Sequence, residues 1–405
     1  MAADVRRVRA PLEGVRVIEV GNFIAGPYCG MQLGDLGADV VKVENPDGGD
    51  MVRKTAPFID GISSNFIRLN RNKRSLALDL KAEDGKEIFR ALAASADIVV
   101  ENLRPGTMAE LGIDYAELRA LNRGLIYVAA SGWGQTGPYA QLAGLDIIAQ
   151  GMSGLMSITG TEGGEPVKVG VPVTDLTCAL YGALAAVSAL HARAADGEGQ
   201  LIDVSLFESG VSLAVWEAGR YFATGEIPKP QGSAHQASAP YQALRSADGY
   251  FTAGATTPKN WRSFCAILGL DALVDDPRYE ENHLRKKHRD TLIPAIEAVT
   301  STQGSAYWVE RLQGAGVPCG VLQDFGQVFN DPHLAARDGF VDAPHATLGP
   351  VRQIASAMRF SRTPTRIRAA GPLLGEHSRA VLDELGWRPE RIDALIAAGV
   401  VGVPA

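Results

Sequence analysis

The 405 residues carry 39 Lys+Arg against 46 Asp+Glu, a formal charge of −7, with 46% apolar and 21% charged side chains. That balance argues against bulk affinity for nucleic acid or an anionic membrane, and it gives a chain of this length core enough for two or three domains. The apolar run over about 179–190 is too short and alanine-rich to span a bilayer, and Arg6, Arg7 and Arg9 lead into no signal-peptide core, so a cytoplasmic enzyme is expected.

The first half alternates strand and helix patterns. "VRVIEV" (15–20) reads as a strand, 27–36 as a helix and "ADVVKVE" (38–44) as a second strand. "SLALDL" (75–80) precedes a helix over 83–94, with Ile88 and Leu92 on one face. "ADIVVEN" (96–102), "GLIYVAAS" (124–131) and "QLIDVSL" (200–206) follow. Short Val/Ile-rich runs separated by helices imply a parallel sheet covered on both faces, an α/β fold. Ligands on such a sheet bind beyond the carboxyl ends of the strands, where strand order reverses. The Pro, Gly, Ser and Ala of "TGEIPKPQGSAHQASA" (224–239) read as a linker or an active-site loop. Residues 241–322 then read as a smaller α+β unit, with a strand in "GYFTAGA" and helices near 261–268 and 290–299. The chain closes on two short helices in "HSRAVLDELGWRPERIDALIAAGVV".

The four cysteines, Cys29, Cys178, Cys265 and Cys319, form no C-x-x-C pair and read as free thiols. Seven scattered histidines show no Cys/His cluster, so no metal site is expected. The glycines after the first strand fall at Gly21, Gly26 and Gly30, which is not the G-x-G-x-x-G of dinucleotide binding. Ala25-Gly26-Pro27 still opens a helix, either to let a ligand approach or to pack helix on sheet. Arg71, Lys73, Arg74 and Lys81 cluster in "LNRNKRSLALDLK", and Asn102 and Arg104 follow a strand in "ENLRPG". Two such loops suit a phosphate-bearing ligand, though a solvated loop would look the same.

In "VGVPVTDLTCALYGA" (169–183), Val169, Val171 and Val173 alternate as in a strand, and Leu176, Ala179, Leu180 and Ala183 recur at helical spacing. Asp175 stands at the joint. It fits two roles, a helix N-cap or an ionised, poorly hydrated carboxylate able to attack a thioester.

In this order, "PLEGVRVIEVGNFIAGP", "LGDLGADVVKVENP", "RNKRSLALDLK", "ADIVVENLRPG", "AGLDIIAQGMSG", "GVPVTDLTCALYGA" and "GQLIDVSLFES" closely resemble the class III CoA-transferases. That is the carnitine CoA-transferase-like family, which includes formyl-CoA transferase and α-methylacyl-CoA racemase. The resemblance runs from about residue 12 to the terminal helices. It implies a large Rossmann-like domain (1–210 plus 335–405), a small inserted α+β domain (225–325), linkers at 211–224 and 326–334, and an interlocked homodimer. It implies that Asp175 matches the catalytic aspartate, and that Ala25, Arg74, Leu78, Lys81, Asn102, Leu103 and Arg104 match positions that bind coenzyme A, with acyl-CoA as substrate and no metal. Asn45 and Glu110 stand where relatives carry basic residues, which leaves Arg53, Lys54 or Arg71 as substitutes. The racemase branch has histidine where Leu145 stands, and leucine cannot move a proton, so the transferase branch is expected. "TAGATTPKN" (252–260) does not reproduce the glycine loop of formyl-CoA transferase. His235, Gln236 and Tyr241 line either the acyl pocket or an ordinary surface linker. The expected substrates are succinyl-CoA and a dicarboxylate acceptor such as mesaconate, itaconate, malate, citramalate or glutarate.

Overall fold

The structure is a computed structural model that describes residues 9–404; Arg6 and Arg7 lie outside the described residues. Two compact units form. The first takes the chain up to Leu155, then Val169–Gly219 and the chain from Ala335 onward; the second takes Met156–Lys168 and Arg220–Leu334. Residues 156–168, which sequence alone keeps in the large domain, thus belong to the second unit. Both segments expected to be linkers are partly helical, in Leu206–Leu213, Val215–Thr224 and Pro332–Ala336.

Six strands of the first unit run parallel: β1 (Arg16–Val20), β2 (Asp39–Glu44), β3 (Lys73–Leu78), β4 (Ile98–Glu101), β5 (Ile126–Ser131) and β6 (Leu201–Ser205). The order across the sheet is β3-β2-β1-β4-β5-β6. A seventh strand, Val401–Gly402, pairs antiparallel with β3 beyond it. Strand order reverses between β1 and β4, so the loops leaving those two strands flank the crevice where this architecture binds ligands. The terminal strand and the hairpin of Phe340–His345 with Gly349–Ile354 carry no sequence signal that the pattern reading caught.

Alternation along the strands feeds two cores. Ile18, Val20, Val41, Val43, Leu76 and Val99 face the helix Glu83–Ala94 through Ile88, Phe89 and Leu92. Val17, Val40, Ile98, Val100 and Val128 face the opposite side. There they meet α1 (Ala25–Asp35) and a 24-residue helix, Val173–Asp196. Each large aliphatic side chain so buried stabilises by about 1.5–3 kcal/mol.

The long helix corrects the sequence reading twice. Val169–Val173 is not a strand, because Pro172 brings no ladder N–H and the helix has already begun at Val173. Nor is the apolar run short. By length and composition this helix is apolar enough to cross a membrane; Ala179, Ala183, Ala186 and Ala189 pack one face of it on the sheet. Gly197, with φ +78°, ends it in the left-handed conformation that glycine adopts most easily.

In the second unit, Tyr241–Ser246, Gly249–Gly254 and Cys319–Val321 form a three-stranded antiparallel sheet. It packs with helices Pro258–Leu268, Arg289–Thr300 and Ser305–Gly314 around Phe251, Trp261, Phe264 and Trp308.

Candidate active site

Asp175 is the third residue of the long helix and is not its cap; Pro172 holds that position without a side-chain bond. A carboxylate from elsewhere ties the first turn. Asp146 opens the helix α2 (Asp146–Met152), and its Oδ1 accepts from the Thr174 N–H at 3.0 Å and the Thr174 hydroxyl at 2.7 Å. Its Oδ2 accepts from Gln150 Nε2 at 2.7 Å, and Gln150 Oε1 accepts from the Val169 N–H at 2.8 Å. The helix Val173–Asp196, now α3, is therefore fastened without Asp175. Among the described residues, no hydrogen bond or ion pair holds the half-buried Asp175 carboxyl.

Sequence reasoning expects the helix N-terminus to keep Asp175 ionised. In the structure, burial and then the charge of Asp146 push its pKa up to about 7. The result is a carboxyl that gains and loses its proton near neutrality and is more basic than an ordinary aspartate. One turn on, burial first and Asp175 second push the buried Cys178 thiol up to about 12, so it stays a thiol. Asp146, which fastens the first turn of α3 and raises the Asp175 pKa, is the residue that sequence reasoning missed. Its only local signal is a lone acidic residue at the start of an apolar stretch.

Ala25, the first residue of α1, shares a small buried cluster with Ala149 of α2 and Cys178 of α3. The turn after β1 and the first turns of α3 are thereby packed together. Asn102, just past β4, crosses the crevice to that turn, where its Oδ1 accepts from the Asn22 N–H at 3.0 Å and its Nδ2 donates to the Asn22 carbonyl at 2.9 Å. Gly21 and Gly26 make room, since a Cβ on either would stand 2.4 or 2.7 Å from Asn102 Oδ1. The Leu103 N–H donates to Glu101 Oε2 at 2.7 Å, and burial pushes the Glu101 carboxyl up to about 7. Arg104 is exposed and donates to the Gln141 carbonyl at 3.2 Å.

Leu78 and Lys81 also lie at the carboxyl end of the sheet, two strands away from β1. Leu78 is buried against the terminal strand, so only its backbone can meet a ligand, whereas the Lys81 side chain is exposed. Arg74 stands apart from the others. It lies near the amino end of β3 and pairs with Asp39 at 2.6 Å and Glu384 at 2.7 Å. Of the suggested substitutes for the missing basic residues, Arg53 grips Glu44 at 2.7 Å and Arg71 grips Asp35 at 2.6 Å. Lys54 is exposed and has no ion pair among the described residues; Asn45 and Glu110 are both exposed.

In the second unit, the His235 ring stacks on Tyr241 with centroids 4.8 Å apart and planes 4° off parallel. The backbone repeats the pairing, the His235 N–H donating to the Tyr241 carbonyl at 3.0 Å. "TAGATTPKN" runs from the strand Gly249–Gly254 into a capped helix, with Thr257 Oγ1 accepting from the Asn260 N–H. Among the described residues, no group of three or more His, Cys, Asp or Glu is placed to hold a metal ion.

The model of CoA-transferase family III matches residues 12–378. The chain is 37% identical over 393 residues to a Mus musculus protein named succinyl-CoA:glutarate CoA-transferase, an alignment covering 96% of this chain and 90% of that one. It is also 37% identical over 389 residues to the succinate–glutarate CoA-transferase of Agrobacterium fabrum, covering 94% and 97%. The solved structure of a CaiB/BaiF family protein from Brucella suis matches with a TM-score of 0.84 at 38% identity, covering 93% of this chain and 100% of that one. This chain belongs to CoA-transferase family III and is an enzyme that transfers CoA.

Proposed function

We propose that this enzyme moves CoA from succinyl-CoA to a free dicarboxylate such as glutarate, with Asp175 as the covalent relay. The reading rests on one observation, a carboxyl free of partners and pushed up to about 7, one turn before the Cys178 that packs against Ala25. The Asp175 carboxylate attacks the thioester carbonyl, forming an aspartyl–succinyl anhydride and releasing CoA thiolate. The thiolate then attacks the aspartyl carbonyl, which frees succinate and leaves aspartyl-CoA thioester. The acceptor carboxylate attacks that thioester, and the expelled thiolate takes the acyl group from the new anhydride, regenerating Asp175. Each step exchanges one acyl bond for another, so no oxidant or metal enters the balance. The succinyl donor and the glutarate acceptor follow the names of the two relatives.

CoA is proposed to lie along the turn of Ala25, the wall of Asn102, Leu103 and Arg104, and the backbone of Leu78 with Lys81, with Lys54 as a further phosphate contact. Arg74 is left out because its guanidinium is bound by two carboxylates at the other end of β3. Leu145, 64% exposed, has no proton to offer from the position beside Asp146, which favours transfer over racemisation. Exposed Leu180, Tyr181, Leu184, Trp216 and Phe222 support a homodimer, which we read as interlocked. Four free cysteines fit a reducing, cytoplasmic setting.

Incubating the protein with succinyl-CoA and then hydroxylamine should modify a single peptide, the one containing Asp175. Asp175→Ala should lose at least about 10³-fold in kcat. Labelling elsewhere, or full turnover by that variant, ends the proposal.

A further inference from the structure

Beneath the crevice turn lie four charged side chains with no solvent exposure at all. Lys42 Nζ sits 2.8 Å from Glu19 Oε1 and 3.0 Å from Asp50 Oδ2, and Lys73 Nζ sits 2.7 Å from Glu19 Oε2. Every member except Glu19 also holds backbone of residues 21–27. Lys42 donates to the Gly21 carbonyl at 2.9 Å, Lys73 to the Pro27 carbonyl at 2.7 Å, and Asp50 Oδ1 accepts from the Phe23 N–H at 3.1 Å. Glu19 needs its own space, since a Cβ on Gly30 would come within 1.9 Å of its Oε2. Phe23, between these anchors, has φ +60° and is 47% exposed. A bulky aromatic residue keeps that backbone only where its surroundings impose it.

We propose that Asp50, anchored by the buried Glu19–Lys42–Lys73 network, is the positioning residue that holds the 21–27 turn and its strained Phe23 in the shape that binds coenzyme A. The inference rests on the ligand site proposed above. Asp50 divides its two oxygens between two tasks. Oδ2 faces Lys42, and Oδ1 holds the Phe23 N–H together with the Val52 N–H at 3.0 Å. A network present only for packing would have no need to reach the one left-handed residue of the turn.

Two conservative variants separate the tasks. Asp50→Asn loses the charge opposite Lys42 and keeps Oδ1 for Phe23 only with its Nδ2 donors turned toward the Lys42 ammonium. Asp50→Glu keeps the charge and moves the acceptor by one methylene. Calorimetry with free CoA, thermal melts, and KM with kcat for succinyl-CoA are measured on both. Asp50→Asn should melt lower than Asp50→Glu yet lose less CoA affinity than it does. Asp50→Glu should weaken CoA binding and raise KM by roughly tenfold, because the anchor of the turn shifts by about an ångström, while kcat at saturation holds. Adding Phe23→Gly, which adopts φ +60° freely, to Asp50→Glu should recover most of that loss. Affinity that merely follows melting temperature across the variants, or no recovery in the double variant, overturns the proposal. A wild-type protein that binds no CoA overturns the site itself, and this inference with it.

Discussion

The first unit holds two concentrations of charge built on opposite plans. At the start of α3, Asp175 and Asp146 carry the same sign, and no cation pairs with Asp175 among the described residues. Beneath the β1 turn, Glu19, Lys42, Asp50 and Lys73 alternate in sign and are wholly buried. Burial works against the charge at both places, and the partners decide the outcome. Lys42 and Lys73 hold the Glu19 carboxyl below its ordinary range despite its complete burial. Burial pulls Lys73 down to about 8 against the attraction of Glu19. Asp175 has no such counterweight, so its proton returns near neutrality. Paired charge fixes the backbone, and unpaired charge stays available for chemistry.

The largest effect on folding should come from breaking the paired cluster. Lys42→Met leaves two fully buried carboxylates, Glu19 and Asp50, without that ammonium group. Removing one member of a buried pair costs about 3–5 kcal/mol, because the orphaned charge stays dehydrated. Urea unfolding should show that loss or an insoluble product. A variant as stable as the wild type would mean that the cluster exerts no hold on the fold.

The same contrast separates what the sequence shows from what it hides. Valine-rich strands and the helix at 83–94 are local patterns, and all six parallel strands and that helix lie within two residues of their expected bounds. Asn102 could be placed at the crevice because strand ends are local too. Asp146 could not be, since its partner Thr174 is 28 residues away and an Asp at Asp175 satisfies the same capping pattern. The alternating valines of 169–173 mimic a strand until Pro172 is weighed for the N–H it lacks. Arg74 looked like a ligand for phosphate because a run of basic residues does not say which end of the strand each occupies. Asp39 and Glu384 claim it there, the latter from 310 residues along the chain.

A smaller effect sharpens the other half of the contrast. Asp146→Asn keeps an acceptor for the Thr174 N–H and removes the negative charge that, after burial, raises the Asp175 pKa. If ionised Asp175 is the nucleophile, kcat/KM for succinyl-CoA should rise with pH through about 7 in the wild type. In Asp146→Asn that limb should move to lower pH by roughly one unit, about 1.4 kcal/mol. A limb that stays in place while Asp175→Ala remains dead would assign it to a different group.

An effect of similar size concerns stability. The folded pKa of Asp175, about 7, lies above that of an unfolded aspartate, about 3.9. The folded state therefore keeps a proton that the unfolded chain has already released. The resulting stabilisation is complete below about pH 4, declines as pH rises and is gone above about pH 7. Three units correspond to a ceiling of about 4 kcal/mol, and partial exposure of the group reduces it to roughly 1–2 kcal/mol. Asp175→Asn cannot ionise, so it should be more stable than the wild type by that amount at pH 8 and by little at pH 4.5. Chemical melts of both proteins at the two pH values measure the difference directly. A gap of the same size at both would place the effect in packing, whereas a gap that opens with pH would show that the unpaired carboxylate weakens the fold in the pH range where its chemistry operates.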